Sequence, residues 1–124
     1  MAGNGNSYSN SAAEVFLVPA KGGVAQRLAA NDVATCLNGI QSPGLTNDWP
    51  KWSPHATSAN SKTYYWLTFS SHRSGTAQLF VTAVVLDGGS LTTYPALYLW
   101  NQPPSESNHT PSWDDYQIPP IVQR

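Results

Sequence analysis

The sequence predicts an all-β protein. Its apolar runs are short, rich in β-branched and aromatic residues, and bounded by Gly, Pro, Asn and Ser. No stretch keeps a helical period, and only Thr35 to Ile40 has room for a helical turn. Two Gly-Gly pairs, Gly22-Gly23 and Gly88-Gly89, each lie between two such runs, where a tight hairpin needs positive φ.

Strands are expected near 14–19, 24–29, 47–52, 63–70, 77–86, 92–100 and 110–113. Val15 to Ala20 turns through Lys21-Gly22-Gly23 into Val24 to Leu28, a first hairpin. The strand at 47–52 is followed by a long polar loop, His55 to Lys62. The next two strands hold Tyr64-Tyr65-Trp66-Leu67-Thr68-Phe69 and Leu79 to Leu86, where strict alternation is lost. An antiparallel sheet with one wet face alternates cleanly, so these two strands are expected to be covered on both faces. Asp87-Gly88-Gly89 turns into the strand at 92–100. A second long loop, Pro103 to Asn108, precedes the last strand.

The chain repeats itself. Glu14-Val-Phe16-Leu-Val matches Gln78-Leu-Phe80-Val-Thr at an offset of 64 residues. Asn47-Asp-Trp49-Pro50-Lys-Trp52-Ser matches Asn108-His-Thr-Pro111-Ser-Trp113-Asp at an offset of 61. Two independent matches near one period indicate an internal repeat, longer than the roughly 40–45 residues of a WD-type propeller blade. The two long loops account for the excess, and 124 residues hold about two units. Two-sided burial is what a propeller blade needs, because each blade is sandwiched between its neighbours.

The residues Trp49-Pro-Lys-Trp52-Ser53-Pro54, then Trp66-Leu-Thr-Phe69-Ser70-Ser71-His72-Arg73-Ser74-Gly75, then Gln78-Leu-Phe80-Val81 resemble a TolB-type (WD-like) β-propeller repeat. The resemblance implies four-stranded antiparallel blades in an incomplete ring: a half blade at 14–29, a full blade at 47–100 and the first strand of a next blade at 108–113. It marks Phe16, Pro50, Trp52, Phe69, Phe80, Pro111 and Trp113 as repeat-defining structural positions. The sequence departs from the pattern at His55-Ala56, where the family has Asp-Gly, and at Trp113-Asp114-Asp115, where it has Trp-Ser-Pro. Met1 to Ala13 is expected to be a flexible segment and 114–124, with Pro119-Pro120, an extended tail suited to an edge. Such a chain reads as a C-terminal portion of a propeller. Two blades cannot close a ring, so each open face would expose an apolar patch that other chains must cover.

Composition narrows the function. Charged residues make up 10% of the chain, against roughly 25% in an average soluble domain. The six basic residues are dispersed, which gives no footprint for nucleic acid. No run approaches the ~18 apolar residues of a membrane helix, and the N-terminus lacks the basic and apolar regions of a signal peptide. The single cysteine, Cys36, is expected to be a buried thiol.

Catalytic motifs do not assemble. Gly-x-Ser-x-Gly is absent, and His55, His72 and His109 have no zinc spacing, so no metal site is expected. Asp114 and Asp115 follow Trp113, and one of them could serve Ca²⁺, but adjacent strand residues point to opposite faces and turn roles suit both better. Asn108-His-Thr110 fits a glycosylation sequon but reads as a turn at the strand entry. Among the five tryptophans, Trp49 and Trp100 are the candidates for ligand contact, because Trp52 and Trp113 occupy equivalent repeat positions. The reading is a non-catalytic propeller module for protein–protein association or scaffolding, without cofactor, completing its ring with other chains as a homo-oligomer or larger complex. By resemblance it belongs in the periplasm or outside the cell. Two alternatives remain: a substrate-gating propeller of a larger hydrolase or oxidoreductase, and a lectin-like carbohydrate binder.

Overall fold

The computed structural model describes residues 7–37 and 39–115; the extended tail expected beyond Asp115 lies outside them. The described residues form eight strands in two sheets, with two short 3₁₀ turns, and no closed barrel. The all-β expectation holds. Strands β1 (Phe16–Leu17) and β2 (Gln26–Arg27) pair as a small antiparallel hairpin. The main sheet holds β3 (Asp48–Trp52), β4 (Thr57–Ala59), β5 (Lys62–Ser71), β6 (Gln78–Asp87), β7 (Ser90–Thr93) and β8 (Leu97–Tyr98).

The pairing reduces these six strands to four rows. β3 and β4 share one edge of β5, β6 takes the other edge, and β7 and β8 share the far edge of β6, all antiparallel. Gly88 and Gly89, at φ of 53° and 90°, make the turn between β6 and β7, as the sequence predicts.

Register decides which residues share a face. Tyr65, Leu67 and Phe69 lie opposite Val84, Thr82 and Phe80 on one face; Tyr64, Trp66 and Thr68 lie opposite Val85, Ala83 and Val81 on the other. The first face carries the core. Val15, Leu28 and Ala30, from the hairpin and the 3₁₀ turn after it, close over Leu67, Phe69, Phe80 and Val84. Along β6 the residues from Gln78 to Val84 alternate buried with half-buried, because the hairpin covers only this side. Both faces are apolar, as expected; the hairpin shields one, while on the other Tyr64, Trp66, Val81 and Ala83 stay half-buried.

Several expectations need correction. The loop expected at 55–62 contains β4, which turns into β5 through Asn60 and Ser61 at φ of 51° and 62°. The strand expected at 92–100 is split into β7 and β8 around Tyr94-Pro95-Ala96, since Pro95 has no N–H for the ladder. Residues 108–113 form no strand, because Pro111 lacks a donor and no second strand lies beside them to complete a ladder. Residues 7–13, expected to be flexible, are tied down: Ser9 N–H donates to Asp48 Oδ2, Gly44 N–H to Ser11 O and Asn47 N–H to Ala13 O. The Cys36 thiol belongs to an exposed residue rather than a buried one.

Candidate functional site

The face of the main sheet away from the hairpin is left partly without cover. Its register brings together Tyr64 and Trp66 from β5 and Val81 and Ala83 from β6, all four half-buried. With Val85, Pro95 and Leu97 these form a shallow apolar groove of about 460 Å³. Tyr64 and Trp66 stack at 6.3 Å with nearly parallel rings, and the Trp66 indole donates to Thr57 Oγ1 on β4. No charged side chain lines this groove, so it offers area and shape rather than chemistry.

A second exposed apolar feature sits on the hairpin. Phe16 is 48% exposed although its repeat partner Phe80 is 5% exposed. The difference follows from the pleat: Val15 and Leu17 point at the sheet, and Phe16 points away from it. Val24 on the same hairpin is also exposed.

A polar node between hairpin and sheet fixes both features relative to each other. Asn31 Oδ1 accepts from Val15 N–H at 2.7 Å, and its Nδ2 donates to Val15 O and Leu28 O. Asn47 Nδ2 donates to Asn31 O, and Arg73 donates to Asn47 Oδ1 at 2.9 Å, to Ala30 O at 2.8 Å and to Ser71 Oγ at 2.9 Å. The Arg73 guanidinium lies over Phe80 and Phe69, its Cζ 4.6 and 5.3 Å from the ring centres. Burial pushes its pKa down to about 10, which leaves it charged at neutral pH. Beside this node Arg27 bonds both Glu14 and Asp32, and that bonding holds both carboxyls below their usual range.

The candidate ligand tryptophans do not converge. Trp49 stands at φ 53° in the bulge of β3 and meets the Tyr8 ring edge-on at 5.5 Å, beside a groove shared with Ser7, Pro50 and Lys51. Trp100 is 84% exposed and lies outside that groove. The equivalent pair does come together: Trp52 and Trp113 line one groove with Pro54 and Pro111, and the Trp113 indole donates to Lys51 O. Asp115 meets His55 at 2.7 Å, both well exposed, while Asp114 is a solvent-facing residue. His72 and His109 lie near each other, with ring centres 6.3 Å apart. Among the described residues no group of three or more His, Cys, Asp and Glu is placed to hold a metal ion. No described helix is long and apolar enough to cross a membrane.

Sequence reasoning gave Asn31 no role, read Asn47 only as part of the repeat match, and treated Arg73 only as part of a turn motif. The available signal was the local pattern Ser-Ser-His-Arg-Ser-Gly, which places a cation at the end of a buried strand. Compared with protein-family models, curated proteins and solved structures, the chain matches none.

Proposed function

We propose that this chain is a non-catalytic module for protein association, a two-blade β-propeller segment whose ring is completed by other copies of itself. The observation that carries the reading is the pairing of one partly uncovered apolar sheet face with one exposed apolar hairpin in the same chain. The four-row antiparallel sheet supports its assignment as a blade. The hairpin, packed on one face of that blade, supports its assignment as the outer half of the preceding blade. In a ring, Phe16 of one copy would meet the groove of Tyr64, Trp66 and Val81 on the next. Residues 108–113 of that next copy would lie beside the hairpin and supply the inner strand it lacks. This arrangement is head-to-tail, so it closes only if the rotation per chain divides a full turn. The TolB-type resemblance adds a periplasmic or extracellular setting to the proposal.

Sedimentation velocity tests it. At micromolar concentration the wild-type chain of 13.4 kDa should sediment as a closed oligomer. Phe16→Glu and Val81→Glu should each give folded monomers. A mixture of the two should recover heterodimers only, since each variant keeps one intact surface. A folded wild-type monomer, or variants that assemble as the wild type does, would overturn the reading.

A further inference from the structure

The Arg73 guanidinium is short of an acceptor. Its Nε and Nη2 donate to neutral oxygens: Ser71 Oγ, Ala30 O, Asn31 O and Asn47 Oδ1. Its Nη1 has no partner among the described residues. Asp32 helps it through space, but the oxygens of Asp32 already accept from Arg27 and from Ser42 N–H. A half-buried cation without a bonded carboxylate is favoured by a charged acceptor brought to it.

Arg73 also lines a groove of about 260 Å³ walled by Val33, Leu37, Ile40, Phe80, Ala96 and Tyr98. This groove lies on the Phe80 side of the sheet, against the segment that follows the hairpin, and shares no lining residue with the Tyr64 and Trp66 groove. Its walls are apolar except for Ser74, the tyrosine hydroxyl and the guanidinium. The N–H groups of Nη1 remain to give a carboxylate charge-assisted hydrogen bonds, and desolvation by apolar walls strengthens that pairing. The volume corresponds to roughly nine waters at about 30 Å³ each, which limits an occupant to a small molecule.

We propose that this groove binds a small carboxylic acid with a short branched or aliphatic tail. The carboxylate sits on Nη1 of Arg73, and the tail packs against Val33, Leu37, Ile40 and Phe80. The site is built from one chain and does not depend on ring assembly.

Titration calorimetry on the full chain tests this with three probes that share one 3-methylbutyl tail: 4-methylpentanoate, 4-methylpentanamide and 3-methylbutylamine. The carboxylate should bind saturably at one site, the amide at least about tenfold more weakly, and the amine not at all. Leu37→Glu places a competing carboxylate on an exposed wall residue. It should weaken 4-methylpentanoate at least about tenfold while leaving the unfolding midpoint unchanged. Arg73→Lys keeps the charge but removes the Nη1 donors, and it too should weaken binding. Because Arg73 also holds the polar node, Leu37→Glu is the deciding variant. No saturable binding, equal affinity for the amide, or undiminished binding by Leu37→Glu would each overturn the proposal.

Discussion

Asn47 reaches Asn31 inside the protein: its Nδ2 donates to the Asn31 carbonyl at 2.9 Å, with the Asn31 Oδ1 at 3.3 Å. Both residues are almost fully buried, and together they bond backbone groups at 15, 28 and 31. This node is how a two-residue hairpin strand stays attached to a ten-residue sheet strand. Asn31→Leu keeps the branched skeleton but strands the Val15 N–H and removes a donor from each of two carbonyls. It should lower stability by about 2–4 kcal/mol, read from urea unfolding of the monomeric Val81→Glu background.

Acid should loosen the same region. Glu14 and Asp32 titrate below their ordinary values because the Arg27 guanidinium bonds to them first of all. As pH falls, the unfolded chain takes up these protons before the folded chain does. The contribution is therefore complete above the ordinary carboxyl range, near pH 4–5, and is lost as pH falls through the depressed folded values. Arg27→Met should cost about 1 kcal/mol at pH 7, since the cluster is partly exposed and screened. Urea midpoints of wild type and variant should converge between pH 5 and about pH 2.5; a constant gap across that range would contradict the assignment.

The long strands were legible because they carry their signal in bulk. β5 and β6 fall within a residue of the expected 63–70 and 77–86, and the turn at Gly88-Gly89 is where glycine chemistry puts it. β4 was not legible: Thr57-Ser-Ala59 is small and polar, and only its pairing with Lys62 to Tyr64 makes it a strand. The break at Pro95 was readable in principle, but Leu97 and Tyr98 return to the same edge of β6 and the apolar run masks it. Composition shows that two faces are apolar; which one the hairpin shields depends on register. The Arg73 groove was invisible because its walls come from four separate stretches of chain, at 33–40, 73–74, Phe80 and 96–98.

Cys36 should react readily in the folded protein, since it sits exposed in the 3₁₀ turn at 35–37 rather than in the core. A maleimide mass-shift assay without denaturant should label it fully, at a rate within about tenfold of that in urea. Labelling only after unfolding would place the thiol inside after all.

Two phenylalanines separate folding from association. Phe69 is fully buried and packs against Phe80 at 6.1 Å, so Phe69→Ala leaves a cavity at the centre of the core. It should lower stability by about 3–5 kcal/mol and abolish both folding at elevated temperature and assembly. Phe16 points away from the core, so Phe16→Ser should leave the monomer's stability within about 0.5 kcal/mol. It should nevertheless dissociate the oligomer, because the partner groove loses its aromatic anchor. Urea unfolding and sedimentation on the same samples check the two effects together. If Phe16→Ser weakened folding as much as Phe69→Ala does, its exposure would not mark a docking surface.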